Sequence, residues 1–467
     1  MSNNIKINIQ ELNLTTARPI PETSDIVYVP GLSPNYDNSN VNRPKLYKSA
    51  LEFEQDFIAR NIDGKSFKTN DKGEYVKTIY KYTADDVKCT YLTGSDTGFI
   101  KENEADRSYH YAHNLLSAGI QVYYECVQTE TTVTPANEVA EGEEPDTDPV
   151  VATSALAGFY TELPTALTKL LDKNEYSVKY ITSGGYPTFD VTVPVNGKDT
   201  DLAEKMLQVA SNRGDAIALI DHKYNTSTPL DPSNAKSLYA AVCGKEYADA
   251  IAGYGAMFTP WATYDKVMLP ASYAYLSCLA RSLKTTPNFV AIAGVARGLV
   301  SGITELNTGK QVLTSTIAEN YQPKRKDTAP GSVNTVRSIN AITQIRPYGL
   351  CIWGNRTLAS IEGGEPTAIN FLNTRAMLCD IKKVAYTTAK TLMFEQDSDK
   401  LWLRFKSGVS GLLDQLKTGY GIKDYKILRK EASGRGRMAA KIQVYPLYAI
   451  EFFEIDIVVS DDETTVE

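Results

Sequence analysis

The sequence predicts an α/β body joined to an α+β C-terminal unit, a multi-domain chain with an extended β arm at each end. Three patterns carry this expectation. Tyr176–Ile181, an amphipathic stretch over residues 200–212 and the unbroken apolar run Ala216–Ile220 read as a β-α-β unit with parallel strands. Two helical patterns, 373–393 and 399–418, are followed by strand patterns at 425–428 and 441–445, the order of a helix layer on a small sheet. Ile5–Ile9 and Phe453–Val459 alternate with period two and stand apart from both cores. At 467 residues the chain exceeds one ordinary hydrophobic core. The expected division is an N-terminal arm and linker over 1–22, a body over 23–345, a C-terminal core over 346–450, and a C-terminal arm with an acidic tail over 451–467.

Each element has its own signal. Ile5, Ile7 and Ile9 share one face of the first strand, and a polar linker from Thr15 to Ser24, with Pro19 and Pro21, detaches it. Asp25–Gly31 is a strand running into a turn, and Ser49 caps a short helix through Ile58. Residues 106–119 form a helix with Tyr109, His113 and Leu116 on one side and Gly119 as its stop; Ile120–Val127 is then a strand. Gln128–Pro149 is rich in Thr, Glu, Asp and Pro and buries too little apolar area to offset its ordering, so an excursion near 128–155 is expected to be mobile. Ser237–Tyr247 reads as a helix, Tyr254–Trp261 as a passage from surface to core, Met268-Leu269-Pro270 as the lead into a helix through Arg281, and 287–302 as a loose apolar loop.

The C-terminal third is more regular. Gly349–Trp353 reads as a short buried strand with Arg356 as a fixed charge at its exit, and Trp353 and Arg356 are expected to be structural. Asn373 is placed as the cap of a helix whose stripe is Met377, Leu378, Ile381, Val384, Ala385 and Leu392; Arg375, Lys382, Lys383 and Lys390 lie off that stripe. Asp399 is placed as the cap of a second helix, where Trp402, Phe405, Val409, Leu412, Leu413 and Leu416 recur at three- and four-residue steps. Phe453, Ile455, Ile457 and Val459 give the last strand one apolar face before Asp461-Asp462-Glu463.

Composition narrows the function. A net charge of −7 argues against nucleic acid as the main partner, and no apolar run is long enough for membrane insertion as a helix. The N-terminus lacks a basic stretch followed by an apolar block, so the chain is expected to begin in a cytoplasm. Six cysteines without a C-x-x-C pair are expected to be buried free thiols. His110 and His113 have no third ligand in pattern, so no metal or other cofactor is expected. The 29 tyrosines suit large protein contacts. The dinucleotide fingerprint and the G-x-S-x-G elbow are absent, and Gly309-Lys310 is followed by Gln311 rather than by a phosphate-loop Ser or Thr. Arg213-Gly214-Asp215, an adhesion tripeptide by letters, sits before a buried strand and reads as a turn. Gly184-Gly185 and Asp221-His222 fall at strand ends, where ligands bind in parallel sheets, so a nucleotide-binding α/β enzyme is the alternative reading.

Motifs at both ends point elsewhere. Gly349-Leu350-Cys351-Ile352-Trp353-Gly354-Asn355-Arg356-Thr357-Leu358, a helix opening with a basic residue, Phe394-Glu395 and Leu401-Trp402 together resemble the C-terminal domain of contractile-tail sheath proteins. Ile26–Gly31, then Ser49, then Glu52-Phe53-Glu54 and Phe57, resemble the start of the same family. The middle matches in order only: Thr259-Pro260-Trp261 and Pro287-Asn288-Phe289 stand where the family has longer alanine- and proline-bearing runs. The resemblance implies a non-enzymatic phage-tail subunit, assembled in the bacterial cytoplasm. Its copies stack helically as hexameric rings around a tail tube and shorten to drive the tube through a cell envelope. It further implies that tail tube, baseplate and tail terminator proteins are partners and that both terminal arms are donated to neighbouring copies. On the same grounds Arg375, Lys382, Lys383 and Lys390 are expected to face the tube, and Trp402 to be structural.

Overall fold

The computed structural model describes residues 25–32, 40–56, 98–127, 155–195, 197–223, 232–264, 267–287, 289–310, 321, 337–361, 366–431 and 437–451. Both terminal arms, including Ile5, Ile7, Ile9, Phe453, Ile455, Ile457 and Val459, lie outside the described residues, as does nearly all of the excursion expected near 128–155.

The body is built on β1 (Val27–Gly31), β2 (Lys45–Tyr47), α1 (Ala50–Asp56), α2 (Gly98–Ala118), β3 (Val122–Cys126), α3 (Ala155–Lys169), β4 (Tyr180–Ile181), a hairpin of β5 (Thr192–Val195) and β6 (Lys198–Asp201), α4 (Leu202–Arg213) and β7 (Ile217–Ile220). It continues through α5 (Pro232–Cys243), the short α6 (Asp249–Ala252), β8 (Gly255–Thr259), β9 (Ala262–Tyr264), β10 (Val267–Leu269), α7 (Ala271–Ser282), the short α8 (Gly294–Arg297), β11 (Ile303–Lys310), β12 (Asn340–Ile345) and β13 (Gly349–Trp353). Among the described residues an eight-stranded sheet runs in the order β13-β12-β8-β7-β4-β1-β3-β2. Neighbours from β12 to β3 are parallel, and only the two edge strands, β13 and β2, are antiparallel to theirs.

A sheet of this kind must be covered on both faces, which is why its strands read as apolar runs rather than alternations. Val27, Val29, Ile217, Leu219, Phe258 and Ile342 point to one layer, with Leu115 of α2 and Leu276 of α7. Tyr28, Ile181, Ala218, Ile220, Met257 and Ala341 point to the other, with Leu163 of α3 and Met206 of α4. The expected β-α-β unit is present: β4 and β7 are parallel, and α4 lies between them in sequence. Asp201 caps α4 by accepting from the Glu204 amide at 3.1 Å, and Gly214, at φ +72°, ends it with its N–H on the Ala210 carbonyl.

Two expectations for the body change. Residues 255–259, read as a passage from surface to core, are the fully buried strand β8 in the middle of the sheet. Gly255 and Ala256 hid it, because small residues have low strand propensity. Gly255 is needed here, since a Cβ at that position would stand 2.1 Å from Leu207 of α4. Gly349–Trp353 is a strand, but it is the sheet edge: it pairs with β12 through five positions, and Trp353 is 41% exposed rather than buried. The hairpin of β12 and β13 thus spans the boundary expected at residue 346.

The C-terminal unit contains α9 (Leu372–Thr391), α10 (Asp399–Thr418), β14 (Ile422–Lys430) and β15 (Ala439–Pro446), preceded by a 3-10 turn at Ala368–Asn370. Met377, Ile381, Val409, Leu413 and Leu416 form its core with Ile422 and Ile427, as two helices on a small antiparallel sheet require. The helices cross closely at Gly408, where a Cβ would meet Thr388 Cγ2 at 2.6 Å. The caps differ from expectation. Ser398, not Asp399, accepts from the Leu401 amide at 3.2 Å. Asn373 lies inside α9, where it accepts from Asn355 Nδ2 at 2.7 Å and donates to the Phe289 carbonyl at 3.0 Å. Trp402 is partly buried and stacks on Phe405 with ring centroids 5.9 Å apart.

Candidate functional site

The carboxyl ends of β4 and β7, where a nucleotide would sit, are filled by the protein itself. Gly184, at φ +68°, lies so close to β1 that a Cβ would stand 1.6 Å from the Pro30 carbonyl oxygen, and a Cβ at Gly185 would stand 2.8 Å from Arg107 Cγ. Both glycines serve close packing, not an open cradle for phosphate. Asp221 is fully buried and accepts from Ser272 Oγ at 2.9 Å and Ser183 Oγ at 3.2 Å. Burial pushes its carboxyl up to about 7, against the pull of those hydroxyls. Burial also drives His222 down to about 4, so it is neutral; its Nδ1 donates to the Lys223 carbonyl and its Nε2 accepts from Thr259 Oγ1. Trp261 Nε1 donates to the His222 carbonyl at 2.8 Å. Arg213-Gly214-Asp215 is closed in the same way, with Arg213 buried and bonded to Asp215 at 3.1 Å and to the Tyr176 carbonyl at 2.9 Å. His113 pairs with Glu54 at 2.6 Å, and among the described residues no group of three His, Cys, Asp or Glu side chains is arranged to hold a metal.

Arg375 and Lys383 of α9 turn inward, whereas Lys382 and Lys390 are exposed. This helix runs past the amino ends of β4, β7 and β8, and two of its four expected tube-facing cations are buried there. Arg375 is buried with its guanidinium 4.1 Å from the Tyr254 ring centroid, and Lys382, although exposed, bonds the Tyr254 hydroxyl. The Lys383 ammonium is buried without a hydrogen-bond partner among the described residues. Burial, with help from the nearby Lys179 charge, lowers its pKa to about 8. Lys390 alone of the four is exposed without such a contact in this region. The burial of Arg375 and Lys383 has a simple cause: helical periodicity marks residues as off one apolar stripe, but α9 has two buried faces, one on α10 and one on the body.

Sequence reasoning missed the centre of that second face. Lys179 Nζ, wholly buried, lies 2.6 Å from Asp25 Oδ1 and 2.9 Å from Asp380 Oδ2. Burial alone would push the ammonium down, but the two carboxylates outweigh it and hold the pKa of Lys179 above the ordinary lysine value. A lysine between Val178 and Tyr180 in an apolar strand was the available signal. Asn340 was missed as well: its side chain accepts from the Arg356 amide at 2.7 Å and donates to the Arg356 carbonyl at 2.8 Å.

Arg356 is buried, as expected of a structural residue, and bonds Glu451. On the outside of the C-terminal unit, β14 and β15 pair only with each other among the described residues, so each has an open edge. Leu428, Tyr445, Leu447, Tyr448 and Ile450 are exposed around them, as are Met393 and Phe394 in the turn after α9 and Leu403 on α10.

No protein-family model matches this sequence, and no curated protein matches it. Solved structures do. The sheath of the PVC extracellular contractile injection system, in its contracted state, matches 99% of this chain and 99% of its own at 15% identity and a TM-score of 0.56. A chain of the anti-feeding prophage (AFP) baseplate in contracted state matches 100% of both at 15% identity and a TM-score of 0.54. The AFP helical sheath in contracted state matches 98% and 99% at 14% identity and a TM-score of 0.50. The chain has the fold of a contractile sheath protein. The resemblance seen in motifs at its two ends therefore extends, as a fold, over the whole length.

Proposed function

We propose that this chain is the repeating subunit of a contractile sheath, in a phage tail or a related extracellular injection machine. Its copies stack as hexameric rings around a tail tube, attach to a baseplate and a tail terminator, and shorten to drive the tube through a cell envelope. The observation that carries this reading is the end-to-end fold match to sheath chains, taken with the closed carboxyl edge of the sheet, which offers a nucleotide no room at Gly184 or Gly185. The subunit does no chemistry of its own; the work comes from the difference between two packings of its copies.

Assembly in this reading rests on the terminal arms. Each of β14 and β15 has an edge free among the described residues, and adding a strand to such an edge is an established recognition mode. Charge supports the match: beside a single acidic residue, Asp424, the hairpin strands carry Lys423, Lys426, Lys430 and Lys441, with Arg429 paired to Asp397 and Asp399, whereas the segment after residue 451 carries Glu454, Asp456, Asp461, Asp462 and Glu463. Burying Ile5, Ile7 and Ile9 contributes roughly 4.5–9 kcal/mol, which about offsets the ordering of the arm's backbone. Two arms per copy make each further contact effectively intramolecular. A truncation lacking residues 1–14 should stay folded by circular dichroism and fail to sediment as polymer. Normal polymer from that truncation would remove the arms from the account.

A further inference from the structure

We propose that Arg356 and Phe371 form a socket that grips residues 448–451 and so fixes where, and in which direction, the C-terminal segment leaves the folded protein. After β15 ends at Pro446, the Leu447 amide donates to the Gly421 carbonyl at 3.1 Å, and the chain then runs on without regular structure. Leu447, Tyr448 and Ile450 are exposed, yet the strap does not swing free: the Tyr448 ring stands 5.0 Å from Phe371, and the Glu451 carboxylate bonds Arg356 Nη2.

The socket lies where the body meets the C-terminal unit and is tied to both through the backbone. Asn340 of β12 holds the Arg356 backbone from both its amide and its carbonyl, and Arg356 also bridges the Phe371 backbone. The guanidinium lies 4.6 Å from the Phe371 ring centroid, a cation–π contact that holds it on that ring. Its Nε and Nη1 have no hydrogen-bond partner among the described residues, so Glu451 supplies the one carboxylate that this buried cation meets there.

Such a pair positions more than it stabilises. Burial pushes the Arg356 guanidinium down and the Glu451 carboxyl up, each against its own charge and only partly offset by their attraction. Net gain from a buried pair of this kind is small, but removing one partner strands the other. The strap is thereby held at one point by a requirement for charge. The gripping itself concerns the single chain; its consequence for assembly rests on the sheath reading, because a C-terminal arm aimed from a fixed point reaches a neighbour's open edge more often than one on a free tether.

The test uses the full chain and two variants, Glu451→Ala and Glu451→Gln. Chymotrypsin nicking after Tyr448 should speed up at least tenfold in Glu451→Ala. Glu451→Gln, which keeps the shape and loses the charge, should follow it, while thermal melting of both stays cooperative. Nicking within twofold of the unmodified chain in Glu451→Ala, or unmodified behaviour in Glu451→Gln, would overturn the socket. In a parallel sedimentation assay both variants should yield several-fold less polymer; equal polymer from a variant that nicks fast would overturn the aiming role. If the unmodified chain forms no polymer, the sheath reading fails, and the nicking rates still decide the socket.

Discussion

Lys179 and Asp380, 201 residues apart in sequence, meet at 2.9 Å in a buried ion pair that ties β4 to α9. Asp25, just before β1, closes the same ammonium from the other side at 2.6 Å. The pair makes α9 a shared element, with one face in the C-terminal core and the other under the sheet. Removing one partner from a buried pair costs about 3–5 kcal/mol. Lys179→Met should therefore lower the urea midpoint accordingly, and adding Asp380→Leu should return part of the loss, a coupling that a double-mutant cycle reads directly.

Lys383 should behave in the opposite sense. Its folded-state pKa, about 8, lies below the ordinary lysine value of 10.5, because its ammonium is buried without a partner. The folded state thus binds fewer protons than the unfolded state between those values, and stability rises with pH across that window. At pH 7 nearly the full penalty, about 3–4 kcal/mol at about 1.4 per unit, is present. Lys383→Met should stabilise the protein by up to that amount at pH 7, and the gain should shrink toward pH 10. A gain independent of pH would mean that packing, not charge, is what the substitution relieves.

The two tryptophans of the body separate core from surface. Trp261 is 1% exposed, and its replacement by alanine should cost about 3–5 kcal/mol. Trp353 is 41% exposed on the edge strand, so Trp353→Ala should cost clearly less, on the order of 1–2 kcal/mol at about 25 cal/mol per Å² of lost burial. Equal destabilisation of the two variants in urea titrations would place Trp353 in a core contact.

Gly184→Ala distinguishes packing from ligand binding at the sheet's carboxyl edge. The added Cβ has no room against the Pro30 carbonyl, and the positive φ is strained for alanine, so the loss should exceed the roughly 1 kcal/mol of an ordinary Gly-to-Ala conflict. A variant with unchanged stability that lost a nucleotide-induced thermal shift would favour the enzyme reading.

The pattern of what was legible follows from the physics. Elements with one dominant environment are readable: β7 as an apolar run, α10 as a single stripe and α4 as an amphipathic stretch. Elements whose residues answer to two neighbours are not. β8 opens on a glycine because α4 presses on it there, and α9 carries Arg375 and Asp380 on a second face that packs on Tyr254 and Lys179. The body hairpin of β12 and β13 was half seen, because Asn340 in a strand reads as a turn residue until its role in holding Arg356 is known. Glu451 gave no signal at all, since its partner lies 95 residues away.

The most direct test of the central claim is negative-stain electron microscopy of the purified full-length chain across a concentration series. The account predicts tubes or stacked rings with six-fold end views, appearing above a threshold concentration. Separate particles the size of one chain at every concentration, with a nucleotide-dependent rise in melting temperature, would contradict it.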